Sequence, residues 1–454
     1  MDTTTKRIVD FTAAVTWSDL PPAAIRAAKA RFLDSVGVAL AAFGAPPVRA
    51  LRSLAPSISE RWSARIWGSG HRTTPEMAAL VSGSMVRYLD LNDAYRTLDA
   101  SHPSDNLPGV LAVAEALGRN GKEFVLALAI SYEIQCRFTD TVPFNEAGWD
   151  QPLVGAMAAA MATGKLLGLS TEQLGHALAL AIVPHMPTYQ TRAGELSMWK
   201  GCAGPNGARH GIFAAQMSGA GLTGPYNPFE GVFGIWKQAL GKPGTFMLPS
   251  LGGLGKVRGL QQTNIKKYAV RDSCQLPIDT ALDLRAKLNP AEITALRVET
   301  YKSAYAGAVA DPELWKPATR ETADHSMPFS IAAALCDGDV TPVSFEERRF
   351  ADADVLQLIG RMKIEILDEF SNQTPAIRNC RITATLKDGS TVVAHRQLTQ
   401  AKIEEGMPDR EIEAKFERLT RPLLSKEARR RVIDGAWSLD DQSNMRAIVD
   451  LTLL

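Results

Sequence analysis

Residues 152–167 read Pro152-Leu153-Val154-Gly155-Ala156-Met157-Ala158-Ala159-Ala160-Met161-Ala162-Thr163-Gly164-Lys165-Leu166-Leu167. A helix of this composition has almost no polar face to offer to water, so it belongs at the centre of a bundle rather than on its surface. Its alanine-rich part, 154–164, is far too short to span a bilayer. Outward from it, residues 6 to about 240 repeat alanine and leucine at three- and four-residue steps, the period of helices. Helices are predicted over 23–43, 75–89, 107–118, 121–138, 171–183 and 203–220. Leu20-Pro21-Pro22 is a start signal for the first of these and Gly44 its end. Ser170-Thr171-Glu172-Gln173 offers a hydroxyl cap to 171–183.

The pattern changes near 250–265, after Pro249-Ser250-Leu251-Gly252-Gly253-Leu254-Gly255. Gly252 to Lys256 lacks the spacing and trailing hydroxyl of a phosphate-binding loop and reads as a linker. Residues 293–301, 361–367 and 380–398 then alternate like strands. Lys387-Asp388-Gly389-Ser390 is a hairpin turn between two of them, because glycine accepts positive φ. Helical patterns at 277–288 and 324–336 interleave with the strands, and charged amphipathic helices return at 409–419 and 426–435. With 454 residues the chain is long for one hydrophobic core. The expected fold class is mainly α with an α+β part. A large all-helical domain is formed by 1–262 and 401–454, and a smaller α+β lid domain by 263–400.

Fifty basic residues nearly balance forty-nine acidic ones, for a net charge of +1. That balance points away from nucleic acid or an anionic membrane as the main partner, so an anionic ligand must be met by a few placed cations. The five cysteines, Cys136, Cys202, Cys274, Cys336 and Cys380, are scattered and show no zinc-ligand spacing or disulfide framework. The first residues run straight into an amphipathic pattern without a signal-type apolar core. A cytoplasmic, reduced setting is expected.

Chemistry-bearing residues concentrate in three places. Asp90-Leu91-Asn92-Asp93 with His102-Pro103-Ser104-Asp105-Asn106 sets three carboxylates and a histidine between two apolar helices. Asp90 and Asp93, three apart, share a face if the helix continues that far; they are a carboxylate pair or helix-end solubilising groups. His102 before a proline is expected to be extended and able to move protons near neutral pH, while Asp105 reads as a helix cap. The second cluster is Thr188-Tyr189-Gln190-Thr191-Arg192-Ala193-Gly194-Glu195-Leu196-Ser197-Met198-Trp199-Lys200-Gly201-Cys202-Ala203. Lys200 stands before a small-residue helix start, a setting for an anion, whereas Arg192 and Glu195 could instead form a surface ion pair. The third, Thr319 to Phe329, contains Asp324-His325, a catalytic or orienting pair or polar residues at a helix start.

Taken in order, these clusters resemble the MmgE/PrpD family over essentially the whole chain. The residues that carry the likeness are Asp90 to Asp93 with His102 to Asn106, Gly164 to Ser170, Ser197 to Gly201 and Arg320 to Ser326. The resemblance implies a homodimer and a metal-free, cofactor-free site in the cleft between the two domains. It implies Asp90, Asp93, His102 and Lys200 as catalytic residues, with Arg192, Arg271, Gln275 and His325 on the substrate. The activity it implies is a hydro-lyase acting on a citrate-like, 2-methylcitrate-type hydroxy polycarboxylate. A cis-aconitate-type decarboxylase, an iminodisuccinate-type epimerase and a non-catalytic carboxylate-binding protein are the alternatives. Two positions depart from the family pattern: Ala94 stands where members carry threonine, and 268–279 lacks the histidine many members place there, leaving Gln275 or Arg271 to replace its contact.

Overall fold

The computed structural model describes residues 1–59, 62–241, 248, 251–252 and 257–454; the linker glycines Gly253 and Gly255, with Pro249 and Ser250, lie outside the described residues. The chain is mainly α, with a smaller α+β part. Helix Pro152–Leu167 is buried throughout except at Lys165 and Leu167, as its apolar circumference demands. It packs against helix Ala203–Gly219 almost backbone to backbone. A Cβ at Gly211 would come within 2.9 Å of Ala159 Cβ, and one at Gly207 within 2.6 Å of the Pro152 carbonyl. Only glycine permits that approach, and it brings the start of 203–219 under the site. Helices Pro75–Tyr88, Leu107–Leu117, Gly121–Thr141 and Thr171–Ile182 surround this pair. Ser170 caps the last with a reciprocal Gln173 bond, as its sequence predicts.

The α+β part holds a four-stranded sheet. Ile293–Thr300 lies between Met362–Ile366, parallel to it, and Ile377–Leu386, antiparallel to it; Thr391–Thr399 forms the outer edge. Gly389, at φ +82°, makes the turn of the Ile377–Leu386/Thr391–Thr399 hairpin. One helix, Asp272–Arg285, starts earlier than its pattern suggests, because Pro277 sits inside it rather than at its first turn.

Late in the chain, helix Asp409–Thr420 packs on Pro22–Ala41, with Gly37 leaving room for Phe416. Its buried Lys415 donates to the Leu91 carbonyl at 2.9 Å and the Lys266 carbonyl at 2.8 Å, and pairs with Asp34. Helix Asp409–Thr420 thereby ties together two segments that carry site residues. Among the described residues no helix is long and apolar enough to cross a membrane.

Candidate active site

Helix Pro75–Tyr88 stops before Asp90, whose backbone turns to φ +51°. Asp90 and Asp93 therefore do not share a helix face, contrary to the three-residue spacing. A left-handed aspartate costs on the order of 1 kcal/mol or more and persists only where its surroundings hold it. They do: Arg87 Nη1 donates to Asp90 at 2.7 Å, Lys266 pairs with the same oxygen, and Lys200 Nζ lies 3.5 Å from the other. Burial alone would raise this carboxyl, but Arg87, Lys266 and Lys200 together hold it well below the usual carboxylate range. Burial lowers the ammonium groups of Lys200 and Lys266 in turn.

Asp93 does something different. Its carboxylate accepts from Tyr132 Oη at 2.8 Å and from the Ser104 amide at 3.1 Å, which pins the loop ends together. Its backbone carbonyl, not its side chain, meets His102 Nδ1 at 2.8 Å. A carbonyl can only accept, so Nδ1 carries the proton and Nε2 keeps its lone pair. Burial, with the charges of Arg87 and Lys266, pushes His102 well below its ordinary value, so the ring is neutral near pH 7.

Asp105 is not a helix cap. Asn92 Nδ2 donates to it at 3.1 Å and Gln151 Nε2 at 3.0 Å, and burial pushes it up to about 6. Gln151 is oriented in turn by Gln135, at 2.9 Å. Small Gly204, at the start of 203–219, leaves the space that Asp105 fills.

The histidine from the third cluster arrives beside this group. His325 Nδ1 is 2.7 Å from Asp324 Oδ1 and 3.4 Å from Asp90. Lys200 Nζ donates to both oxygens of Asp324; burial would raise that carboxyl, but Lys200 and His325 together hold it below its usual range. Burial and the Lys200 charge push His325 down to about 3. Lys200 is buried, its ammonium on Asp324 and 3.5 Å from Asp90, close to His325.

His102 and His325 both line one narrow, partly open cleft. Arg87, Arg96, Arg192 and Arg271 line it as well, against Asp150 and Asp272. Arg192 pairs with Asp150 at 3.2 Å and donates to the Lys200 carbonyl at 2.9 Å. Its expected partner Glu195 instead accepts from Thr319 and Thr322. Gln275 is absent from the cleft: its amide is spent on the 267–270 backbone, accepting from the Lys267 and Tyr268 amides and donating to the Tyr268 and Val270 carbonyls. Ala94 faces the cleft, so the hydroxyl expected there in the family is missing from its wall.

Asp90, Asp324 and His325 also bring three ligand-type atoms within 4.8 Å of one another. Lys200, Lys266 and Arg87 already occupy those carboxylates, so a divalent cation would have to displace buried cations. Sequence reasoning missed Arg87, Lys266, Tyr132 and Gln151. Arg87 was findable, three residues before Asp90; Lys266 carries no local signal at all.

Two family models match in sequence: the MmgE/PrpD N-terminal domain over residues 6–246 and the C-terminal domain over 268–440. The chain belongs to the MmgE/PrpD family. It is 26% identical to cis-aconitate decarboxylase of Homo sapiens, over 94% of this chain and 90% of that protein. It is also 26% identical to 2-methylcitrate dehydratase of Cupriavidus necator, over 79% of this chain and 78% of the relative. For the 2-methylcitrate dehydratase of Escherichia coli K12 the figures are 26%, 74% and 72%.

Proposed function

We propose that this protein is a metal-independent lyase acting on a small polycarboxylate by general acid–base chemistry, and that its reaction is the dehydration of a citrate-like hydroxy acid. The observation that carries the reading is His102: a neutral ring with Nδ1–H fixed on the Asp93 carbonyl, in a cleft lined by four guanidinium groups. Its Nε2 has no hydrogen-bond partner among the described residues and is the base.

Taking a proton from a carbon next to a carboxylate drives charge onto the carboxylate oxygens. Cationic donors preorganised around the cleft stabilise that charge in the transition state. Arg87 and Arg192 are held in place for this by Asp90 and Asp150. In dehydration His102 takes the proton, the carbon–carbon double bond forms, and the β-hydroxyl leaves as water with a proton from an imidazolium. A bound polyanion raises both histidines from their depressed values, so that one of them can hold that proton. Lys200 and Asp324 orient His325 rather than touching the substrate, and Asp93 positions His102.

A second reading is decarboxylation, in which the same imidazolium protonates the carbanion left by carbon dioxide. The alignment with the human cis-aconitate decarboxylase favours it, spanning 94% of this chain against 79% for the Cupriavidus dehydratase at the same identity. Incubation with a panel of di- and tricarboxylates in deuterated water, followed by proton NMR, separates the cases. Loss of water from a hydroxy acid supports the first reading, and loss of a carboxylate with deuterium uptake supports the second. Binding without conversion or exchange sinks both.

A further inference from the structure

We propose that Arg271 selects the substrate's second carboxylate and that Gly307 is the position that seats it, an inference that rests on the polycarboxylate reading above. The cleft's cations differ in what they have left to give. Arg87 is bonded to Asp90, Arg96 lies 3.4 Å from Asp272, and Arg192 is held by Asp150 and a carbonyl. The side chain of Arg271 has no hydrogen bond or ion pair among the described residues, yet it lines the same cleft as His102 and His325. A guanidinium stays charged and offers a planar fork matched to a carboxylate, so this group has its whole bonding capacity available to a ligand. Its backbone is anchored, because the Arg271 amide donates to the Asp324 carbonyl at 2.8 Å, next to His325.

Gly307, in helix Lys302–Ala308, supplies the space. A Cβ there would stand 2.5 Å from Arg271 Nη2, 2.7 Å from Cζ and 3.2 Å from Nε, and these guanidinium atoms are its nearest neighbours. Its φ is not in the left-handed region, so alanine meets no backbone obstacle. An alanine at 307 therefore asks for one adjustment: the flexible tip of Arg271 must move. The substrate class that follows carries at least two carboxylates, one beside the reacting carbon and one on Arg271.

The test measures kcat and KM for wild type, Arg271→Gln, Gly307→Ala and the double variant. It uses the polycarboxylate that wild type converts and an analogue with its distal carboxylate replaced by a carboxamide. Both single variants should raise KM for the polycarboxylate by about tenfold to a hundredfold, with kcat changed less, as expected for loss of a charge-assisted pair. The double variant should be no worse than Arg271→Gln alone, since Gly307 acts only through that side chain. The carboxamide should be handled equally by wild type and Arg271→Gln. Wild-type KM in either single variant, or penalties that multiply in the double variant, overturns the proposal while leaving the reaction class intact. If wild type converts and binds no polycarboxylate, the proposed function fails and this inference falls with it.

Discussion

The two walls of the cleft hold their histidines by opposite means. On the helical wall, His102 leans on a backbone carbonyl; on the other, His325 leans on the Asp324 carboxylate, itself clamped by Lys200. A carbonyl fixes a tautomer without adding a full charge, and suits a base that must be neutral at rest. The carboxylate–lysine pair fixes a ring by charge, and makes its stability contribution depend on every member of a buried network. The difference predicts that damage on one wall falls on rate and damage on the other on folding as well.

The largest expected effect is on the His102 wall. His102→Gln should lower kcat by about a hundredfold to ten-thousandfold, the usual range for a lost acid–base group, with the unfolding midpoint little changed. Equal losses of rate and stability would erase the contrast between the walls. Next is Lys200→Met, which leaves Asp324 and Asp90 short of a buried cation. Stability should fall by about 3–5 kcal/mol, read by denaturant unfolding, together with activity. A stable but inactive Lys200→Met would move Lys200 into the reaction itself.

The pH dependence of folding should split by residue. His325 is at about 3 when folded against an ordinary 6.5, so the unfolded chain binds the extra proton between those values. Its contribution is present above pH 6.5 and is lost as pH falls towards 3, at up to about 1.4 kcal/mol per pH unit. Asp105 has the opposite sign. At about 6 when folded against 3.8, it adds stability as pH falls through that window. Between pH 7 and 4, His325→Gln should therefore lose less stability than wild type, and Asp105→Asn more. Unfolding curves at pH 7, 5 and 4 show this directly, and shifts in the same direction for both variants would refute the assignment. The smallest effect is on the rate profile: the acidic limb of kcat/KM should lie below pH 6.5, because His102 is depressed in the free enzyme.

Much of this arrangement was legible in the chain. Helix 152–167 could be read to its ends because its composition leaves one environment open to it, and the 387–390 turn because aspartate–glycine has one economical geometry. His102 could be singled out as a residue able to move protons, and His325 as a polar group for the substrate or a helix start. The roles of their neighbours could not be read in the same way. Asp93 looked like a carboxylate for chemistry and acts on His102 through its carbonyl, and Asp105 looked like a cap and is a buried acid. Spacing along the chain says which residues are near in sequence, whereas side-chain direction after a helix ends depends on a φ such as that of Asp90.

The sequence by itself determined that helices dominate, that the chain belongs with carboxylate-handling relatives, and which three segments carry polar chemistry. The first and third follow from composition and local period, the second from the order of short motifs along the chain, and none of these needs a folded partner. Only the tertiary structure decided that Lys200 clamps Asp324 beside His325, that Lys266 and Lys415 join the same buried network, and that the Arg271 side chain in the cleft has no partner among the described residues. Each of those facts is a contact between residues far apart in the chain, and whether a charge is spent or available depends on which opposite charge the fold brings to it.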